Sequence, residues 1–558
     1  MVEKRDVKAL EAGISADHSG SEEASLQQHV YPHGWRLFVT TLGLFISLYL
    51  VNLEVTIVST SLVTITDDLG GFNKTSWVVT AYLTTYTGRK SPRSSAVQRL
   101  LTQCRLHSLL DQNQRLGRTK ENDQRGVIPF SRLLVSIIIF RALQGLGGAG
   151  VYPLSILCTY EVAPREKIPI YGGLMSVAVA LASLSGPIIG GVLADHSLWR
   201  WVFYLNLPPT ALAILIIAIA MPTNFGTTPP GSLRQLIPNM TFFRRIDAPG
   251  VFLLLAASFL LVTVLNETFV AFEWNSKISI ILLSLSGASW ITFFIWEWLI
   301  IDKWDGYYPI FPKRFLYNRA WIGVLVTTFV SACPWNVIIV FLSQRFIVLS
   351  QLSPLQAGIH LIPYSAVSTV ATAIANLACL RGRIAFIYIV LFGSILHTVG
   401  MALLSTIPAT IGSGSFPIEG YGYEAIAGAG VGITIGNLLL AVPYIVDAAD
   451  LSTATGALNQ CRFLGGAVGL SIASNLLNGR LKNRLSEVLP PEKLGLLLHS
   501  ASSIAYLPEQ IRDFVLDVFA GSYRLQMQVM IGFAGVQVLA CLLMIRRRGQ
   551  YVASASGG

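Results

Sequence analysis

The chain is punctuated by apolar runs long enough to cross a lipid bilayer, and nothing else in it restricts the fold as strongly. They fall at about 36–63, 133–155, 170–194, 201–221, 248–266, 278–301, 321–343, 355–378, 384–405, 424–446, 454–477 and 527–545. Each is close to the roughly 20 residues that a helix needs to cover the hydrocarbon core. No water reaches that core, so every backbone N–H and C=O must be paired within its own segment and the runs read as α-helices. Only 13% of the 558 residues are charged, about half the share of an ordinary soluble domain. The expected class is therefore an all-α polytopic membrane protein.

The formal charge of +10 raises the question of nucleic acid as a partner. The basic residues, however, sit in short tracts between the apolar runs, at Arg244-Arg245, Arg381 to Arg383 and Arg546 to Arg548, as cytoplasmic anchors do. They read as topology, and no nucleic-acid partner is expected. This places the tail 1–34, the loops 222–247, 302–320 and 379–383 and the tail 546–558 in the cytoplasm, with a polar loop at 478–526 outside. The first 34 residues are polar with no apolar core of a cleavable signal, so the tail reads as disordered and the first span as the address. Six scattered cysteines without C-x-x-C spacing argue against a disulfide framework or a zinc site. No metal or other cofactor is expected. The absence of H-E-x-x-H, G-x-S-x-G and phosphate-loop patterns argues against an enzyme. Of three glycosylation sequons, those at Asn73 and Asn266 fall on the outer side and that at Asn239 inside.

Weak internal repetition divides the chain into two parallel halves. QGLGGAGVY (144–152) aligns with AGAGVGITI (427–435), Gly145 on Gly428 and Gly147 on Gly430, at an offset of 283 that also puts Gly173 on Gly456. VTTL (39–42) matches VTTF (326–329) at an offset of 287. The first half thus has room for two helices between its first helix and its glycine-rich one. That slot is filled wrongly. After the apolar fragment Trp77 to Tyr86 come Arg89, Lys90, Arg93, Arg99, Arg105, Arg115, Arg118, Lys120 and Arg125 against only Asp111, Glu121 and Asp123. At roughly 2.5–3.5 kcal/mol or more per charge at the bilayer centre, this segment cannot span. Residues 88–132 read as a wrong reading frame or an unspliced intron.

Four strings carry chemistry. IIIFRALQGLGGAG (137–150) puts Arg141 inside an apolar helix, followed by Gln144, Gly145 and Gly148. A buried guanidinium keeps its charge and either holds a carboxylate or anion, or snorkels from near the helix end. LYLVNLEVTIVSTSL (48–62) puts Glu54 deep in the bilayer. Desolvation there favours the neutral acid and a nearby cation the ionised form, which suits a reversible proton carrier; the other reading is a structural hydrogen bond to Thr or Ser. GLMSVAVALASLSGPIIGGVL (173–193) combines Gly173, Gly186, Pro187, Gly190 and Gly191, which allow close helix approach and bending. LWRWVFYLNLPP (198–209) reads as an interfacial aromatic belt. Polar residues within apolar runs are candidates for a substrate cavity: Trp335 and Asn336 beside Pro334, His360 and Gln460, with Glu297, Gln344, Arg345, His397, Asn437 and Arg462 behind them.

These strings resemble the fourth-helix, first-helix, fifth-helix antiporter and sixth-helix motifs of the major facilitator superfamily. Together they look like its fourteen-helix drug:proton antiporter branch, of the fungal toxin and secondary-metabolite efflux type. The resemblance implies a major facilitator fold with two six-helix bundles, 35–221 and 321–545, and an inserted helix pair at 248–301, helices 2 and 3 being disrupted here. It implies proton coupling through Glu54 and Arg141, a hinge at 173–191, and export of a hydrophobic small molecule by a monomer. The plasma membrane is the expected site and the vacuolar membrane the alternative. Uptake of a compound such as a metal-siderophore complex, and an inactive product, stay open. Glu54 stands where many relatives have Asp, Val63 for a usual Pro, Ala182 for a usual Gly, and Thr85 where an acid precedes the Gly88-Arg89-Lys90 turn.

Overall fold

A computed structural model describes residues 34–69, 71–86, 130–163, 167–220, 247–303, 311–380, 385–408, 416–447, 450–490, 497, 500, 503–504 and 507–545. Among them no strand forms beyond an isolated bridge between Thr268 and Phe272. The helices are α1 (Trp35–Leu69), α2 (Thr75–Thr85), α3 (Phe130–Val162), α4 (Ile168–Asp195), α5 (Trp201–Ala220), α6 (Ala248–Glu267) and α7 (Lys277–Lys303). They continue with α8 (Arg319–Val348), α9 (Pro354–Cys379), α10 (Phe386–Ser405), α11 (Ile418–Ile445), α12 (Leu451–Leu485) and α13 (Glu509–Leu542). Among the described residues, 11 of these are long and apolar enough to span a membrane. The chain is a multi-pass membrane protein.

Several helices begin with the side chains that satisfy orphan backbone donors. Asp247 accepts from Gly250 N at the start of α6, and Asn318 from Trp321 N at α8. Ser353 and Gln356 make a reciprocal capping box at α9. Helices α12 and α13 overrun their apolar runs by polar turns. This corrects the expected loop at 478–526: α12 continues to Leu485 and α13 already begins at Glu509. Hydropathy under-read both ends because a helix that projects past the hydrocarbon, or buries its polar residues against protein, needs no apolar sequence there.

In the first half α1 runs along α4 and touches α3 and α5; in the second, α11 packs between α9 and α10, and α8 against α12 and α13. The pair α6 and α7 lies to one side. Helix α6 packs on α2 and α12, whereas α7 rests on α6, with Ser286 Oγ donating to Ala257 O at 2.8 Å. Its remaining surface shows Ile280, Ile281, Ile291, Phe294 and Ile295 outward, as a lipid-facing helix does.

Helix α2 is an 11-residue stub, all but Thr85 of it buried, packed on α3 and α12. It occupies the slot expected for a second helix. Of the stretch 88–132, residues 88–129 lie outside the described residues, and 130–132 belong to the first turn of α3.

Candidate functional site

The first half closes around a charge pair. Glu54 of α1 and Arg141 of α3 are fully buried and meet through Arg141 Nη1 and Glu54 Oε1. The same nitrogen donates to Gln144 Oε1 at 2.8 Å, one helical turn on, and Arg141 Nε donates to the Val78 carbonyl of α2 at 3.0 Å. The guanidinium lies 4.5 Å over the Tyr82 ring and 5.8 Å over Phe203. The second carboxylate oxygen of Glu54 accepts from Asn206 Nδ2. Arg141 thus holds a carboxylate and does not snorkel, and the partners of Glu54 are Arg141 and Asn206, not hydroxyls.

Asn206 was not legible as part of this site. It sits in what reads as an interfacial belt, yet it is fully buried at the turn between the short helix Trp201–Tyr204 and the double proline Pro208-Pro209. The belt assignment also fails for Trp199, which is buried and donates through Nε1 to Asp68 at 2.9 Å. An amide next to a helix break, in an otherwise apolar string, was the available signal.

Small residues set the contacts around the pair. A Cβ at Gly145 would overlap the Tyr82 carbonyl, and one at Gly148 would lie 2.7 Å from the Tyr86 ring. Along α1 and α4, Thr56 Oγ1 donates to Ala182 O at 3.0 Å, Thr60 Oγ1 to Pro187 O at 2.9 Å and Ser61 Oγ to Gly190 O at 2.9 Å. Gly186 and Gly190 leave no space for a Cβ against Thr56 and the Ile57 carbonyl. The same helix meets the second half. A Cβ at Gly191 would come within 2.6 Å of Pro354 O, Gly358 lies against Pro187, and Ser353 Oγ donates to Asp195 at 3.1 Å. Gly173 departs from expectation: nothing lies within 4 Å of its missing Cβ, so it takes no part in this packing.

Between the halves lies a cavity bordered by Asn52, Thr56, Ser183, Trp335, Asn336 and Arg462, continuing past Tyr152, Ser368, Thr372 and Gly436. In α8 a π-turn at Ile338–Leu342 follows Pro334 and shifts the helix register directly after Trp335 and Asn336, two of the expected cavity residues. The other two fall elsewhere. His360 ends the first seven-residue segment of α9, Pro354–His360, stacked on Tyr421 with ring centroids 5.6 Å apart, and Gln460 is half-buried on α12; neither borders the cavity. Arg462, on α12 of the second half, does border it.

The sequon residues differ in placement. Asn73 is half-buried in the short helix Phe72–Lys74. Asn266 is 2% exposed, accepts from Ser76 Oγ at 2.6 Å and donates to Val262 O at 3.0 Å and Ser471 Oγ at 2.8 Å. An amide committed inside a bundle in this way has no room for a glycan, which corrects the expectation for Asn266. Among the described residues no cluster of His, Cys, Asp and Glu could hold a metal ion.

Two helical halves around a largely apolar cavity with a few polar groups in its wall, and an ion pair sealed in one half, define a membrane transporter for small molecules. The chain belongs to the Major Facilitator Superfamily, whose sequence profile matches residues 126–470. It is 35% identical to the MFS-type transporter FPY5 of Fusarium mangiferae over 95% of this chain and 87% of that one. It is 27% identical to the aspyridones efflux protein of Neocamarosporium betae, over 87% and 83% of the two chains. The fold matches the crystal structure of a bacterial homolog of the human lysosomal transporter Spinster, in an inward-facing and unoccupied conformation, with a TM-score of 0.53, 14% identity and coverage of 91% and 97%.

Proposed function

We propose that the protein exports a hydrophobic small molecule, a drug-like compound or secondary metabolite, in exchange for protons by alternating access. The observation that carries this reading is the sealed Glu54–Arg141 pair. A carboxylate that is fully buried is tolerated there only while its countercharge is in place. Protonation of Glu54 would release Arg141 and Asn206 from it.

Position along α1 supplies the coupling. Successive residues turn by about 100° around a helix, so Asn52 and Glu54 point to nearly opposite faces. Asn52 and Thr56 border the cavity while Glu54 faces α3 and α5. A proton gained or lost on one side of α1 therefore acts on the wall of the cavity on the other. The glycine-lined contact of α4 with α9, at Gly191 and Gly358, forms the surface on which the halves rock, and the close packing of α4 on α1 carries the first half along as one body. A monomer in the plasma membrane fits this role, and the efflux protein among the relatives supports the direction of transport.

The test is efflux of a fluorescent hydrophobic compound from proteoliposomes with an imposed pH gradient. Transport should follow the gradient in the wild type and lose that dependence in Glu54→Gln. Transport that ignores the gradient with Glu54 intact would rule out antiport.

A further inference from the structure

Arg462 is a cation in the cavity wall with no carboxylate to match it. It is 6% exposed, and among the described residues no Asp or Glu forms an ion pair with it. What holds it is neutral. Nη1 donates to the Tyr152 hydroxyl at 2.7 Å and Nη2 to Asn52 Oδ1 at 3.2 Å. Three rings face the guanidinium, Trp335 at 4.5 Å, Tyr152 at 5.3 Å and Phe463 at 5.7 Å. Its Nε is buried and has no acceptor. The contrast with Arg141 is direct, because both are buried arginines under aromatic rings and only Arg141 has its carboxylate.

We propose that Arg462 supplies the countercharge for an ionised acid group on the substrate, so that the transported compound is a hydrophobic organic anion. Ring faces attract a cation but do not neutralise it. A guanidinium has five donors in a planar fork that matches a carboxylate or a similarly delocalised enolate, and the protein uses only two side-chain acceptors on it. The rest of the cavity is suited to the apolar body of such a molecule: Trp335 and Val431 offer contact area, and Ser183, Ser368 and Thr372 a few hydroxyls. An anionic substrate agrees with the efflux reading, since an inside-negative potential drives an anion outward and opposes its uptake. The proposal rests on the efflux reading for its direction and on the cavity geometry alone for the charge of the substrate.

The test uses the purified full-length chain and two probes that differ by a negative charge against a methyl group, 1-pyrenebutyrate and its methyl ester, with binding read as energy transfer from tryptophan to pyrene. Wild type should bind the carboxylate at least roughly ten-fold more tightly than the ester, the scale of a well-formed buried charge pair. Arg462→Gln should abolish that preference by weakening carboxylate binding at least roughly ten-fold more than ester binding, and Arg462→Lys should retain part of it. The wild-type comparison needs no variant to fold. Equal or tighter binding of the ester, failure of both probes to bind, or a preference that survives Arg462→Gln would each overturn the proposal. Carboxylate-selective binding without movement of the probe across proteoliposomes would overturn the efflux reading and leave the anion site standing.

Discussion

Gly428 of α11 lies so close to the carbonyl oxygen of Tyr364 that a Cβ would overlap it, and Gly145 of α3 meets the carbonyl of Tyr82 in the same way. One helix contact is thus built twice, once in each half. Gly145→Ala and Gly428→Ala should each cost about 1–3 kcal/mol, because backbone has to move to admit the methyl group. Gly173→Ala and Gly456→Ala, where nothing lies within 4 Å, should stay within about 0.5 kcal/mol of wild type. Thermal unfolding in detergent separates the two pairs, and four equal melting temperatures would refute the contact.

The contact also shows what the sequence could disclose. The repeat offset tied Gly145 to Gly428 correctly because a carbonyl at van der Waals distance leaves glycine no substitute, and such constraint survives in the residue string. It tied Gly173 to Gly456 as well, and both proved to be open positions, so the alignment located equivalence but not purpose. Apolar runs disclosed the spans, whereas helix ends, the buried role of Asn206 and the unmatched charge of Arg462 depend on which residues face each other, and no local pattern records that.

Glu54 and Arg141 offer a double-mutant cycle. Removing one partner leaves an uncompensated buried charge, so Arg141→Met should destabilise by about 3–5 kcal/mol. Adding Glu54→Leu should recover much of that loss, because the pair then leaves together. A double variant no more stable than Arg141→Met would mean that the pair is not what Arg141 stabilises.

The two outer sequons should respond differently to glycosidase. Any mobility shift seen with the protein made in a fungal host should vanish in Asn73→Gln and persist in Asn266→Gln. The second variant should instead lose roughly 1–3 kcal/mol of stability, the cost of stranding buried partners, since Ser76 and Ser471 both bond the Asn266 amide. A shift that disappears in Asn266→Gln would contradict the buried placement.

Glu424 is fully buried on α11, and among the described residues neither of its oxygens accepts a hydrogen bond. A buried carboxyl group that accepts no hydrogen bond keeps its full desolvation cost, so replacing it by a neutral group of the same shape can be neutral or stabilising. Glu424→Gln should therefore melt at or above the wild-type temperature in detergent. A drop of several degrees would show that the carboxylate is engaged in a way the static packing does not display.

Helix α2 has 11 residues, a length of about 16 Å at 1.5 Å per residue, and it must cross a hydrocarbon core of about 30 Å. Its packing is nevertheless that of a working second helix: Val78 O accepts from Arg141, Tyr82 and Tyr86 face the glycines of α3, and the Tyr86 ring lies tilted against Phe463 with centroids 3.7 Å apart. A helix so placed should continue to the far side of the membrane, yet Arg89, Lys90 and Arg93 follow. The family profile begins to match only at residue 126, where the basic stretch ends. Transcript sequencing should therefore find, between the codons for Tyr86 and Phe130, a segment encoding the rest of α2 and a further apolar helix. Expression of that version should give a higher yield of monodisperse protein than the chain as written, and an uninterrupted cDNA encoding these same residues would end the argument.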